Sequence, residues 1–107
     1  MKFIPKKSLG QNFLIDEKVT DLIVNIGNIN NKDTVVEVGP GKGALTQKIL
    51  KKNPNKFIVI EKDNELVKGL EKKFEGKIKI INEDMMKISY SDFFNKNLII
   101  FGNLPYN

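Results

Sequence analysis

Short runs rich in β-branched residues alternate with helix-like segments along this 107-residue chain. This alternation limits the possible folds more than any other feature of the sequence. The four apolar runs are residues 34–38, 56–61, 78–82 and 98–102. Strands that alternate with helices form right-handed βαβ units around a parallel sheet. The sequence therefore predicts an α/β fold with one parallel sheet of at least four strands.

Helical spacing is clearest just before the first of these runs. Asp16 is a good N-cap, and Gly27 supplies a stop. Between them, four apolar residues follow the i, i+3, i+4, i+7 spacing of a buried helix face: Val19, Leu22, Ile23 and Ile26. We predict further helices over 44–52 and 64–74, and a short helical turn over 89–94.

Composition excludes several kinds of site. The chain has neither cysteine nor histidine, so it has no disulfide, no thiolate metal site and no histidine base, and we predict no metal centre. The net charge of +5 comes entirely from lysines, and charge alone favours solvated helix faces over a surface that attracts polyanions. No signal-peptide-like or membrane-spanning apolar segment is present, and we expect a cytoplasmic protein.

A glycine-rich loop follows the first predicted strand. Gly39-Pro-Gly-Lys-Gly-Ala44 satisfies the pattern G-x-G-x-x-G/A, in which Gly39 and Gly41 let a ligand approach the backbone closely. Glu61 follows Gly39 by 22 residues and ends the second predicted strand. An acid at that position can accept hydrogen bonds from ribose hydroxyls. The loop and Glu61 together predict an adenosine-type cofactor.

These residues leave the cofactor open between a dinucleotide and S-adenosylmethionine. Glu37 sits awkwardly beside a pyrophosphate and suits the ammonium and sulfonium groups of S-adenosylmethionine, although it could equally cap N–H groups of the loop. Asp84, at the end of the third predicted strand, could accept a hydrogen bond from the adenine amino group. Met85 could pack on the adenine ring or simply fill the core.

The last predicted strand runs into Asn103-Leu-Pro-Tyr106. The Asn103 side-chain oxygen and the Leu104 carbonyl can both accept from an exocyclic amino group, Pro105 fixes the turn, and Tyr106 can stack on a base. Such a platform would aim the nitrogen lone pair at a methyl donor and support in-line transfer by positioning and electrostatics. A plain strand-end turn with a buried tyrosine is the alternative.

Three stretches in this order and spacing carry a family resemblance: residues 10–14 (GQNFL), 37–46 (EVGPGKGALT) and 101–107 (FGNLPYN). They resemble the small-subunit ribosomal RNA adenine dimethyltransferases, the KsgA type. The resemblance implies a Rossmann-like, S-adenosylmethionine-dependent enzyme that dimethylates two adjacent adenines near the 3′ end of small-subunit (16S) rRNA in the immature subunit during ribosome biogenesis. It carries cofactor contacts over to Asn12, Leu14, Gly39, Glu61, Asp84 and Asn103. It also makes Asn103–Tyr106 the target-adenine pocket and favours RNA contact by the lysine-rich N-terminal arm.

Three other functions are considered. Large-subunit rRNA methyltransferases of the macrolide-resistance type share this layout, but Gly10, Pro40 and Leu104 favour the small-subunit type. A non-catalytic RNA-binding module for ribosome assembly is a second alternative. The dinucleotide-binding half of an oxidoreductase is the third.

The resemblance also predicts how this chain departs from its family. The chain stops one residue after Tyr106, whereas the family continues with more strands and a helical domain. We expect residues 1–15 to be a basic arm with a cofactor-contacting segment, and residues 16–107 to be the N-terminal half of the methyltransferase sheet, in strand order 3-2-1-4. The strand at 98–101 would then be an uncovered apolar edge through which the chain could self-associate. Such a fragment should bind cofactor and be catalytically poor.

Overall fold

The structure, a computed structural model, describes residues 1–5, 16–93 and 96–102. The strands and helices in chain order are β1 (Lys2–Pro5), α1 (Glu17–Gly27), β2 (Thr34–Val38), α2 (Ala44–Leu50), β3 (Lys56–Ile60), α3 (Asn64–Lys73), β4 (Lys79–Ile81) and β5 (Leu98–Gly102). Two short 3₁₀ helices, Met85–Lys87 and Tyr90–Phe93, connect β4 to β5. The α/β fold with a parallel sheet is confirmed.

All strand pairs are parallel, and the sheet order is β1-β5-β2-β3-β4. From β2 the chain moves outward through β3 to β4 and then returns to β5 on the other side of β2. The strand order therefore reverses between β2 and β5, and ligands of open α/β sheets bind beyond the carboxyl ends of the strands at such a switch point.

The predicted order of four strands is found as β4-β3-β2-β5, but the sheet contains a fifth strand that we did not predict. Strand β1 pairs with β5 from Lys2 opposite Ile99 to Pro5 opposite Gly102. The expectation of an uncovered edge at 98–101 is therefore wrong. Strand β1 already occupies the edge of β5 through which the chain was expected to self-associate. A strand of four residues ending in proline has too short a pattern to be recognised from sequence.

Each face of the sheet carries its own apolar cluster. The helical face holds Ile4, Ile23, Val24, Val35, Leu45, Ile49, Phe57, Val59, Leu70, Phe74, Ile99 and Phe101. The opposite face holds Val36, Val38, Ile58, Ile60, Leu98 and Ile100, against which side chains of the 3₁₀ segment, including Met85 and Tyr90, pack. Burial of both faces explains why the strands read as continuous apolar runs rather than alternating ones.

Helix α1 begins and ends close to the predicted residues but buries a different face. Asp16 caps it by accepting from the N–H groups of Lys18 and Val19. The buried residues are Thr20, Ile23, Val24 and Gly27, whereas Leu22 and Ile26 are 53% and 56% exposed. The predicted inward positions of Leu22 and Ile26 are therefore wrong.

Close packing at Gly27 accounts for this rotation of the α1 face. A Cβ atom at Gly27 would lie 2.7 Å from Cζ of Phe101 on β5. The absence of a side chain lets the helix end approach the sheet, which favours burial of the side of α1 that carries Gly27.

Helices α1 and α2 are also joined by an ion pair. The Lys48 ammonium lies 3.0 Å from Oδ1 of Asp21 and 3.7 Å from Oε1 of Glu17. The hydrogen bond to Asp21 raises the pKa of Lys48 above its usual range, with smaller contributions from the charges of both acids.

In the described part of the chain, no helix has the length and apolar character needed to cross a membrane.

Candidate functional site

A cleft of about 220 Å³ opens at the carboxyl ends of β2, β3 and β4. The side chains and backbone around it belong to Val38, Gly39, Ile60, Glu61, Lys62, Glu83, Asp84, Met85 and Met86. Four of these were predicted to contact a cofactor: Gly39, Glu61, Asp84 and Met85. Residues far apart in the sequence meet here because parallel strands end at the same edge of the sheet.

Gly39 is the residue of the glycine loop that lines the cleft beside β2, whereas Gly41, also predicted to contact the cofactor, is not among the described lining residues. Gly39, Gly41 and Gly43 all have positive φ angles, of 68°, 59° and 93°, which glycine adopts without the steric cost that other residues meet. A Cβ atom at Gly39 or Gly41 would meet no other atom within 4 Å. These two glycines therefore serve the backbone turn and leave open space beside it, as close approach of a ligand to the main chain requires.

Glu61 directly follows β3, and its side chain is largely buried, at 9% exposure. Its Oε2 accepts a hydrogen bond from the backbone N–H of Asp63 at 3.1 Å, which orients the carboxylate. None of the described residues donates to Oε1. Glu61 thus has an anchored carboxylate with one oxygen available to accept from a ligand's hydroxyl groups.

Asn82 was not predicted to belong to the site, yet it fixes the position of Glu61. Its Nδ2 donates to the backbone carbonyl of Glu61 at 3.0 Å and to that of Lys62 at 3.3 Å. The N–H of Glu61 in turn donates to the carbonyl of Ile81 at 3.0 Å. An asparagine beside an acid after a strand is the sequence signal that could have identified this residue.

Asp84 and Met85 form the opposite wall of the cleft. Oδ1 of Asp84 accepts from the N–H of Met86 at 2.9 Å and so caps the first 3₁₀ helix. Met85 is half-buried; it packs against the apolar cluster of the sheet face and also lines the cleft. Both uses considered for Met85, core filling and ligand contact, are therefore compatible with its position.

Tyr90, which was also not predicted to belong to the site, holds Met85 of this wall in place. Its hydroxyl donates to the backbone carbonyl of Met85 at 2.9 Å. Burial raises the pKa of the Tyr90 hydroxyl above its usual value, and the charge of Asp84 raises it further. Because the protonated hydroxyl is the donor, this shift preserves the hydrogen bond that holds Met85.

Glu37 is completely buried and does not line the cleft. Its Oε1 accepts a hydrogen bond from the hydroxyl of Thr46 on α2. The carboxylate therefore ties the strand that enters the glycine loop to the helix that leaves it. This contact resembles the alternative in which Glu37 caps N–H groups of the loop.

The remaining predicted site residues, Asn12, Leu14 and Asn103–Tyr106, lie outside the described residues. Strand β5 leads directly to Asn103 and ends at Gly102. Gly102, its last residue, packs against β2: a Cβ atom at Gly102 would lie 2.8 Å from Cβ of Val38. Val38 also lines the cleft.

The arrangement suits a neutral or cationic nucleoside-type ligand. Carboxylates of Glu61, Glu83 and Asp84 surround the cleft, with Lys62 as a cation beside them. The acids can accept from hydroxyl and amino groups and would repel the negative charge of a phosphate. At about 220 Å³, the cleft is smaller than the roughly 300–1,000 Å³ typical of complete small-molecule sites. It therefore fits part of such a ligand.

Comparison with known proteins gives a consistent result. Residues 3–107 match the family model described as "Ribosomal RNA adenine dimethylase". The chain is 56% identical over 102 residues to the "Ribosomal RNA small subunit methyltransferase A" of Pelagibacter ubique (strain HTCC1062), an alignment that covers 95% of this chain and 38% of that protein. The chain thus spans well under half the length of this relative.

Two solved structures share the fold. The 23S rRNA methyltransferase ErmE superposes with a TM-score of 0.71 at 28% identity, over 89% of this chain and 38% of that one. A dimethyladenosine transferase from Plasmodium falciparum superposes with a TM-score of 0.67 at 25% identity, over 97% of this chain and 34% of that one. These similarities confirm the Rossmann-like methyltransferase fold.

Proposed function

Because the chain belongs to the ribosomal RNA adenine dimethylase family, we propose that it forms the cofactor-binding part of an S-adenosylmethionine-dependent rRNA adenine dimethyltransferase. The substrate would be two adjacent adenines near the 3′ end of small-subunit rRNA, methylated in the immature subunit during ribosome biogenesis. The protein would act in the cytoplasm, where such subunits are assembled. The observation that carries the proposal is the meeting of Gly39, Glu61 and Asp84 in one cleft.

The residues of the cleft fit the methyl donor. The open space beside Gly39 and Gly41 admits a ligand to the backbone, Glu61 would accept from the ribose hydroxyls, and Asp84 would accept from the adenine amino group. S-adenosylmethionine has no phosphate, and the acidic lining of the cleft agrees with that. When bound, it supplies an electrophilic methyl group on a sulfonium centre.

Asn103 to Tyr106 would hold the target base. Asn103 follows directly on Gly102, which packs against a cleft residue, Val38. Its side-chain oxygen and the Leu104 carbonyl would each accept a hydrogen bond from one N–H of the adenine amino group, which directs the nitrogen lone pair towards the methyl donor. Tyr106 would stack on the base after it leaves its helix. Positioning and electrostatics of this kind need no histidine, and the chain has none.

A chimera tests whether this chain supports methyl transfer to rRNA. Residues 3–107 of this chain would replace the matching segment of the Pelagibacter ubique relative, with labelled S-adenosylmethionine and unmethylated small subunits as substrates. We expect label on adenine in small-subunit rRNA, and loss of at least about 100-fold in rate with Asn103→Ala, as for removal of one preorganised group at a reacting centre. Cofactor affinity should fall far less than the rate, because Asn103 is only one of several expected cofactor contacts. For the 107-residue chain alone we expect cofactor binding and slow transfer.

A large-subunit rRNA methyltransferase is the second candidate, supported by the superposition on ErmE. Offering both rRNAs to the chimera separates the two substrates. Label confined to large-subunit rRNA would favour the second candidate. A third candidate, a non-catalytic RNA-binding module, predicts RNA binding that is indifferent to cofactor and to Asn103→Ala.

A further inference from the structure

A second concave surface, separate from the cofactor cleft, lies between the end of α2 and the end of α3. We call it the basic groove, and it has a volume of about 660 Å³. Lys51, Lys73 and Lys77 line it, and no carboxylate does. Its floor is aromatic, formed by Phe57 and Phe74, which are each 6% exposed.

The lysines of the basic groove are not used in ion pairs with the described residues. The ion pairs found there involve Lys48, which joins α1 to α2, and Lys68, which lies 3.5 Å from Glu65 on the same helix. Lys51, Lys73 and Lys77 are exposed and have no carboxylate within ion-pair distance among those residues. The positive charge of the groove is therefore available to an outside anion.

Charge on α3 and the turn after it is divided between two sides. Lys73 and Lys77 face the basic groove, whereas Glu71 and Glu75 line a different groove, of about 420 Å³, beside β4. Among the described residues, no lysine lines that second groove. The described residues of the basic groove therefore present positive charge and no carboxylate, which suits an anion.

Stabilisation of helix ends explains only part of this pattern. Lys51 is the C-cap of α2 and Lys73 lies in the last turn of α3, where a cation offsets the helix dipole. Lys77 lies four residues beyond the end of α3, outside the range of that effect. Lys73 is also held in place, because its Nζ donates to the carbonyl of Lys42 at 3.4 Å and lies 5.4 Å from the centre of the Phe74 ring.

An extended polyanion matches this arrangement better than a single small anion. The charges of the ligand must reach three lysines, which lie at the end of α2, in the last turn of α3 and in the turn after α3. The exposed amides of Asn53 and Asn55 add hydrogen-bonding groups along the same surface. We propose that the basic groove binds the sugar–phosphate backbone of the RNA substrate. This inference rests on the proposed function for the choice of RNA over an acidic protein segment.

The described residues of the basic groove are separate from those of the cofactor cleft. Phe57 in its floor and Glu61 in the cleft are separated by four residues of strand, or about 13 Å at roughly 3.3 Å per residue. The groove would therefore hold RNA flanking the target adenines and add affinity without reading their sequence.

The test measures binding of the 107-residue chain to a fluorescein-labelled RNA hairpin of about 30 nucleotides at several salt concentrations. The groove variant is Lys51→Gln/Lys77→Gln, and the matched control is Lys32→Gln/Lys68→Gln, which removes the same charge elsewhere. If each groove lysine neutralises one phosphate, the slope of log K against log salt falls by about 0.7 per lysine. For the two lysines of the variant together, affinity at 0.1 M salt should fall by about 25-fold relative to the unaltered chain, if the two proteins bind equally at about 1 M salt. The control should lose much less, and Lys51→Arg/Lys77→Arg should retain affinity.

A second measurement uses the unaltered chain, so its result does not depend on whether any variant folds. RNA should protect Lys51, Lys73 and Lys77 from acetylation, read by mass spectrometry, and leave Lys32 and Lys68 reactive. Equal losses in the groove and control variants, no protection of the groove lysines, no RNA binding at all, or tighter binding of a poly-glutamate peptide than of the RNA would each overturn the inference. Cofactor binding is measured separately by calorimetry. If the chain binds S-adenosylmethionine but the groove does not bind RNA, the inference about the groove fails while the proposed function stands.

Discussion

The side-chain amide of Asn82 donates a hydrogen bond to the backbone carbonyl of Glu61 across 3.0 Å. Strand β4 leads to the first residue, and the second follows strand β3 directly. This bond holds the end of β3 in place, so that the carboxylate proposed to bind the ribose is fixed before any ligand arrives. Preorganisation of this kind reduces the entropic cost of binding.

Asn82→Ala should therefore weaken S-adenosylmethionine binding although Asn82 is not among the residues that line the cleft. We expect a loss of about 3- to 10-fold in affinity by calorimetry. The free energy of unfolding should fall by only about 1 kcal/mol, as for a typical hydrogen bond. Asn31→Ala, an exposed turn residue, is the control and should change neither quantity. Unchanged affinity in Asn82→Ala would show that Glu61 is positioned without it.

Glu61→Gln tests the ribose contact itself. Hydrogen bonds to a charged acceptor contribute about 1.5–3 kcal/mol each, so we expect affinity for S-adenosylmethionine to fall by roughly 10- to 100-fold. Glu83→Gln removes the same charge from the same cleft and serves as control. If the two variants lose affinity equally, the effect is general electrostatics and not a contact made by Glu61.

The raised pKa of Tyr90 predicts a specific loss of stability at alkaline pH. Its pKa in the folded protein is raised above the ordinary value of 10.0, so the fold binds this proton more tightly than the unfolded chain does. The resulting stability is fully present below pH 10 and is lost as the pH rises through the folded pKa. Tyr90→Phe cannot ionise, and its free energy of unfolding should fall less steeply above pH 10 than that of the unaltered chain.

Urea denaturation at a series of pH values checks this prediction. Lys48 also has a raised pKa and loses stabilisation in the same alkaline range, but it is present in both proteins, so their difference isolates Tyr90. Absorbance at 295 nm provides a second readout, since the tyrosinate that appears at the highest pH should be missing from Tyr90→Phe. Parallel stability curves for the two proteins would contradict the assignment.

Gly27 and Gly69 form a matched pair of helical glycines. Alanine is favoured over glycine within a helix by about 1 kcal/mol. At Gly69 in α3 a Cβ atom would meet nothing within 4 Å, whereas at Gly27 it would lie 2.7 Å from Phe101. Gly69→Ala should therefore stabilise the chain by up to about 1 kcal/mol, and Gly27→Ala should destabilise it by about 1–3 kcal/mol through overpacking.

Thermal and urea denaturation of both variants measure the difference. A stabilising Gly27→Ala would show that α1 can move away from β5 at little cost. The packing explanation for the rotated α1 face would then be wrong.

The sequence was most informative where local pattern and tertiary environment agree. Strands β2, β3 and β5 are buried on both faces, so their apolar runs identified them directly. The cleft could be anticipated because Gly39, Glu61 and Asp84 each follow a strand, and parallel strands bring such positions together. These inferences needed only the period of the pattern and the rule for parallel sheets.

Other features depend on contacts that the sequence does not display. The inward face of α1 was mispredicted because Leu22 and Ile26 are apolar yet exposed, and the deciding contact, Gly27 against Phe101, joins residues 74 positions apart. Strand β1 was not predicted because only its pairing with β5 in the folded chain identifies it as a strand. Asn82 and Tyr90 act by positioning backbone groups, a role with weak local signatures.

Calorimetric titration of the 107-residue chain with S-adenosylmethionine and, separately, with NADH tests the central claim most directly. We predict saturable one-site binding of S-adenosylmethionine and no measurable binding of NADH, because the acidic cleft suits a cationic ligand and repels a pyrophosphate. NADH binding at least as tight, or no heat of binding with S-adenosylmethionine, would contradict the assignment of this cleft to a methyl donor.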